Sequence, residues 1–210
     1  MNFDVLRYIG AVTREIRSRD HDGRPARVLV ATCAYDTAVE DVWDAITNAE
    51  RIPRWFLPVS GDLRLGGRYQ LHGNAGGQIT ACEPPRSLAV TWEFGGQVSW
   101  VHVRLTELSD GGTRLQLEHI VTPDEQWNQY GPGAVGVGWE LAIMGLDRHL
   151  STGAANDPKE AAAWLASEEG KEFVGRSSDE WGRASIASGT DETAARDSAR
   201  RTTAFYRGEG

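Results

Sequence analysis

A chain of 210 residues that is 40% hydrophobic can bury one substantial core, and its 22 basic against 30 acidic residues leave a net charge of −8. No dense basic run is present to neutralise several phosphates, which argues against nucleic acid and anionic membrane surfaces as partners. The two cysteines, Cys33 and Cys82, fall in no Cys-x-x-Cys or Cys/His spacing, so no disulfide framework, metal site or cofactor is expected.

Residues 1–17 lack the basic cluster, apolar run and cleavage site of a signal peptide, and no stretch approaches the roughly 20 apolar residues of a membrane span. The expectation is a soluble, cytoplasmic protein with no membrane insertion. A preference for Arg over Lys fits GC-rich bacterial coding.

Phe3, Leu6, Tyr8, Ile9 and Val12 recur loosely as on one face of a short helix, with no good cap ahead of them. Residues 12–17 and 27–35 alternate like strands, and Asp20-His21-Asp22-Gly23 supplies turn chemistry between them, predicting a hairpin. Thr37-Ala38-Val39-Glu40 reads as a capping box, and Val39, Val42, Trp43 and Ile46 follow at helical spacing, predicting a helix over 38–48. Pro53 then interrupts the chain and leaves Trp55 and Phe56 on an irregular connector, where large rings plug a core edge or form the lip of a pocket.

Short β-like runs follow at 62–65, 67–71, 78–82, 88–94, 98–108 and 113–121. The breaks between them are glycine and proline turns too short for crossover helices, so the sheet is an antiparallel meander. One break, Gly73-Asn74-Ala75-Gly76-Gly77, is glycine-rich, but it lies between strands and lacks a lysine, so it reads as a hairpin loop and not a phosphate cradle. Thr122-Pro123-Asp124-Glu125 reads as a second capping box, and Gly131-Pro132-Gly133 ends the short helix it opens.

A long helix is then predicted over 134–150, with an apolar stripe of Val135, Trp139, Ala142, Ile143 and Leu146. Gly136, Gly138 and Gly145 each cost about 1 kcal/mol against Ala inside a helix, which calls for close backbone approach or free space. Beyond residue 153, Asp157-Pro158 opens further helices. Trp164, Leu165, Phe173, Val174, Trp181, Phe205 and Tyr206 require this tail to dock on the domain or on a second copy, which leaves a homodimer open.

His102 and His119 face each other if residues 110–111 form a two-residue turn, but that register mixes apolar and polar partners on one face. A three-residue loop with Gly112 left-handed instead pairs Leu105 with Leu117, Val103 with His119 and Arg104 with Glu118, placing His119 inside and His102 outside. Tyr69 and Trp92 share the inward series with Leu71, Leu88 and Val90, as core or as cavity wall with a polar handle.

The run from Tyr35-Asp36-Thr37 through Val42-Trp43-Asp44-Ala45-Ile46, then Arg54-Trp55-Phe56, Asp62-Leu63-Arg64-Leu65-Gly66-Gly67-Arg68-Tyr69, Pro84-Pro85-Arg86-Ser87-Leu88, Thr91-Trp92-Glu93-Phe94 and Gly112-Thr113-Arg114-Leu115-Gln116-Leu117-Glu118-His119 resembles the START-like SRPBCC superfamily, in its Hsp90 ATPase activator homology branch. The resemblance spans 27–150 and implies an α+β helix-grip (START/Bet v 1-like) fold, a curved antiparallel sheet around a long C-terminal helix. Residues 1–26 form an N-terminal extension and 151–210 a helical one.

The same resemblance implies non-catalytic binding of a small hydrophobic ligand, lipid or polyketide-like. The expected ligand contacts are Trp55, Phe56, Tyr69, Trp92, Val101, His119, Val135 and Trp139. Two alternatives stand beside it: a cyclase- or isomerase-like enzyme using His119 and Tyr69 for proton transfer, and a chaperone-ATPase-activating interaction protein.

Overall fold

A computed structural model of the chain describes residues 4–209. Eight strands form one curved antiparallel sheet in the order β1-β2-β8-β7-β6-β5-β4-β3, and with the long helices this is the α+β helix-grip architecture. The strands are β1 Thr13–His21, β2 Arg24–Tyr35, β3 Val59–Gly61, β4 Arg68–Leu71, β5 Gly76–Glu83, β6 Ser87–Phe94, β7 Gln97–Glu107 and β8 Thr113–Val121. The helices are α1 Val5–Ala11, α2 Val39–Thr47, α3 Glu125–Tyr130, α4 Gly133–Thr152, α5 Pro158–Ala166, α6 Glu168–Ala187 and α7 Glu192–Arg207. Among the described residues, no helix is long and apolar enough to cross a membrane.

The chain divides into two compact units that are not continuous in sequence. A helical unit takes the described residues up to Ala31, Thr122–Leu141 and those from Asp157 on; a sheet unit takes Thr32–Val121 and Ala142–Asn156.

In the helical unit, α1 is capped by the Asp4 carboxylate, which accepts from the Arg7 amide at 3.0 Å, a signal that the sequence reading passed over. The helix buries Val5 and Ile9 and leaves Leu6 exposed, while Phe3 lies outside the described residues. The hairpin between β1 and β2 closes on Asp22 and Gly23 with φ of 49° and 74°, the left-handed pair that a two-residue primed turn requires.

The tail helices pack within this unit, α6 contacting β1, α1, α5 and α7. Phe173, Val174 and Trp181 are thereby fully buried in a single chain, although Phe205 remains 57% exposed. A Cβ on Gly136 of α4 would collide with the Trp181 indole, and one on Gly138 would meet the Tyr206 hydroxyl. These two glycines therefore serve close approach of the tail and do not open space. The unit also buries an ion pair that sequence spacing did not suggest: Arg14 of β1 grips Glu140 of α4 in a two-pronged contact at 2.6 and 2.7 Å, with side-chain exposures of 7% and 1%. Nη1 donates to the Val12 carbonyl and Nη2 also to the Ile9 carbonyl, so four hydrogen bonds hold the buried charge.

Two local expectations in the sheet unit are corrected, and one in the helical unit. Residues 62–65 are not a strand: the chain turns over residues 64–67, closed by the Gly67 amide on the Arg64 carbonyl, and the edge strand lies earlier, at β3, paired Val59 with Leu71 and Gly61 with Tyr69. The Thr37 capping box does not form. Thr37 Oγ1 bonds the Asp41 carboxylate, and α2 starts behind Ala38 without a side-chain cap, its Glu40 and Asp41 answering the positive helix end instead. Ahead of α3, in the helical unit, the cap is likewise not Thr122 but Asp124, whose carboxylate accepts from the Trp127 amide at 2.8 Å.

Register on the last hairpin also differs from the expectation. Leu105 pairs with Leu115, Val103 with Leu117 and Val101 with His119, two residues away from the expected alignment. The loop takes five residues because the Leu108 amide bonds the Gly112 carbonyl and the Asp110 carboxylate accepts the Gly112 amide, while Gly111, at φ 85°, holds the left-handed position. A slip of two preserves the face of every side chain, so His119 is inside, 2% exposed, and His102 lies on the other face.

Candidate functional site

The inward face of the sheet unit is built by alternation. Ile79 of β5 pairs with Val90 of β6, Val90 with Val101 of β7, and Val101 with His119 of β8, so these four side chains form one row across four strands. One pleat along, Trp92 sits opposite Ser99, and on the other side Leu88 sits opposite Val103. Tyr69, Leu71 and Ile79 form a buried nucleus, and Phe56, Leu57, Val59, Cys82, Leu88, Val90 and Trp92 pack on it while remaining only half-buried.

Trp55 and Phe56 lie just past a 3-10 turn at Ile52–Arg54, their rings stacked at 5.4 Å, with the Trp55 indole donating to the Ala45 carbonyl of α2 at 2.8 Å. The C-terminal end of α4 and its following loop hold this connector. Asn156 donates its side-chain amide to the Trp55 carbonyl and its backbone amide to the Arg54 carbonyl, and Gly145 lets the Trp55 carbonyl approach where a Cβ would clash. Arg51 ties the same region to α2 through Asp41 and Asp44 and to α4 through Nε2 of His149, whose Nδ1 faces the Ala154 carbonyl. Arg51, His149 and Asn156 carry no periodic signal; their roles arise only from long-range contact.

Polar chemistry on the inward face centres on His119. Its Nε2 lies 2.8 Å from Ser99 Oγ, and that hydroxyl also lies 3.2 Å from the Trp92 carbonyl, to which it donates. One hydroxyl hydrogen serves one acceptor, so with Ser99 donating to the carbonyl, His119 carries its proton on Nε2 and donates to Ser99. The ring also meets Trp92 edge-on at 6.1 Å. Burial among these apolar neighbours pushes the imidazole pKa down to about 4, so the ring is neutral near pH 7. Burial pushes the Tyr69 phenol up, and its hydroxyl donates to the Thr91 carbonyl at 2.8 Å.

Of the residues singled out from sequence, Phe56, Tyr69 and Trp92 share one cluster, Trp92 and Val101 adjoin His119, and Trp55 stacks on Phe56. Val135 and Trp139, half-buried, lie on the part of α4 that belongs to the helical unit. Ser99, which is not among the residues singled out from sequence, is the side chain that His119 engages.

A family model described as activator of Hsp90 ATPase homolog 1-like protein matches residues 36–151, more than half of the chain. The chain belongs to this family. CalU16 from Micromonospora echinospora is 34% identical in its crystal structure, at a TM-score of 0.68 over 86% of this chain and 99% of that one. Its solution structure gives 37% identity and 0.70 over 86% and 97%. An Hsp90 activator from Plasmodium falciparum, 22% identical, matches at 0.52 over 62% of this chain and 99% of that one, a likeness of fold. No curated protein matches. Because the likeness to CalU16 extends well beyond residues 36–151, it takes in part of the helical unit, so this family member shares with CalU16 more than the sheet and its helix.

Proposed function

We propose that this protein is a cytoplasmic, non-catalytic binder of a small hydrophobic molecule, lipid or polyketide-like, held against the inward face of β5 to β8 in the sheet unit. The observation that carries this reading is uneven burial along one face. Val101, Leu105, Leu115 and Leu117 on β7 and β8 are 3–5% exposed, whereas Leu88, Val90 and Trp92 on the neighbouring β6, with Phe56 and Leu57 beside them, stay half-open. A sheet face that served only as core would close over these side chains, and an accessible apolar wall beside a few fixed polar groups is what an apolar ligand requires. Membership in a family of helix-grip proteins supports the same reading.

A proton-transfer enzyme is the second reading, favoured by the 2.8 Å contact between His119 and Ser99. The expected partnership of His119 with Tyr69 gives it less, since the Tyr69 hydroxyl is committed to Thr91. A histidine whose pKa is held at about 4 is also a weak base near neutral pH. Chaperone activation draws support only from the family description.

The test is a native mass spectrum of freshly purified protein together with thermal-shift titrations of aromatic polyketide-like compounds, flavonoids and fatty alcohols. Binding at a hundredfold the dissociation constant stabilises the native state by about 2.7 kcal/mol. Trp92→Ala is expected to weaken the response. Absence of any adduct and of any shift across all classes would remove the binder reading, and conversion of a bound compound that His119→Ala abolishes would replace it with the enzyme.

A further inference from the structure

The proposed site has a chemical selectivity that follows from what its wall contains. We infer that it takes neutral molecules bearing a carbonyl, ether or hydroxyl group and rejects carboxylates of the same size and shape; this rests on the binding reading above.

The inward positions that strand register sets beside His119, which are Leu88, Val90 and Trp92 of β6 and Ser99, Val101 and Val103 of β7, carry no lysine, arginine or acidic side chain. Polar groups enter at two points. The Tyr69 hydroxyl donates to the Thr91 carbonyl and offers its lone pairs, and the His119 ring is held by Ser99 and by the edge of Trp92. Neither can supply a positive charge. The phenol is neutral or anionic at any pH, and the imidazole, 2% exposed among Val101, Trp92 and Ser99, resists protonation.

Of the cations beside the Trp55–Phe56 connector, Arg51 is paired with Asp41 and Asp44, and Arg54 is exposed and donates to the Gly153 carbonyl. The basic side chains of the neighbouring strands point to the opposite face: Arg68 binds Glu93, and Arg104 pairs in register with Ser87 and Gln116. A carboxylate entering among Leu88, Val90 and Trp92 would surrender its hydration with no cation to receive it. A neutral ester or alcohol pays far less, and an alcohol can also donate a hydrogen bond to the lone pairs of the Tyr69 phenol.

The experiment compares matched compact probes by calorimetry at neutral pH: methyl 2-naphthoate, 2-naphthol and 2-naphthoate. The ester and the naphthol are expected to bind at least about a hundredfold more tightly than the carboxylate, given the desolvation of an unpaired ion. Leu88→Lys places a cation on the half-exposed wall, where a long side chain can still reach water. With its melting transition confirmed as cooperative, this variant is expected to bind the carboxylate at least about tenfold better than the parent and to narrow or invert the preference. Equal affinity for ester and carboxylate in the parent protein overturns the selectivity while leaving the binding reading intact. If no probe binds, and the wider screen of compounds also fails, the binding reading falls and the selectivity with it.

Discussion

Replacing His119 by Gln and following stability against pH reports directly on the interior of the sheet unit. The imidazole is neutral in the folded chain down to a pKa of about 4, whereas in the unfolded chain it titrates near its ordinary 6.5. Above pH 6.5 both states hold the neutral ring, and the residue makes no pH-dependent contribution. As pH falls from 6.5 toward 4, the unfolded chain binds a proton that the folded chain refuses, so stability is lost; below about 4 both states are protonated and the loss stops growing. The full loss is about 3 kcal/mol, from 1.36 kcal/mol per pH unit across the gap between the two pKa values. Glutamine keeps a hydrogen-bonding partner for Ser99 but does not titrate, and every other group titrates alike in both proteins. The difference between parent and His119→Gln, measured by urea denaturation at a series of pH values, therefore isolates this one ring. A difference that stays flat to within about 0.5 kcal/mol between pH 7 and 4 would mean that water reaches His119, and would refute the account of a dry, apolar wall.

In the helical unit, Arg14→Met leaves the Glu140 carboxylate buried without its partner and is expected to cost about 3–5 kcal/mol, while adding Glu140→Leu recovers most of that loss; equal stability of the single and double variants in urea denaturation would contradict the pairing. Gly136→Ala should destabilise by about 1–3 kcal/mol despite the better helix propensity of alanine, because the new methyl meets the Trp181 indole, and the penalty should shrink in a Trp181→Leu background; a stabilised Gly136→Ala protein would show that the indole can retreat.

Local chemistry was legible in the sequence wherever a short segment decides its own conformation. Asp22-Gly23 closes the first hairpin because few residues other than Gly, Asn and Asp accept two successive left-handed conformations, and Asp157 ahead of Pro158 starts α5 as a cap and first-turn proline do. Alternation of apolar residues was enough to place His119 inside and His102 outside, since parity survives any even slip of register. Ordered motifs along the chain carried the family and the helix-grip fold for the same reason: strand, turn and helix signals are each set within a few residues.

What tertiary structure alone decided are the interactions between residues far apart in the chain. The two-residue change of register came from a five-residue loop bonded through Asp110, and the caps of α1, α2 and α3 from which of several competent side chains reaches the free amides or finds another partner first. The glycines of α4 could mean closeness or emptiness, and only the positions of Trp181, Tyr206 and the Trp55 carbonyl showed that each serves closeness. Arg14 with Glu140, 126 residues apart, and Ser99 with His119, 20 apart, obey no spacing rule, because a buried polar group takes whatever partner the fold brings to it. Half-burial of Leu88, Val90 and Trp92, on which the proposed site rests, is likewise invisible to a pattern of apolar residues: the pattern says which way a side chain points, and only the packed chain determines what covers it.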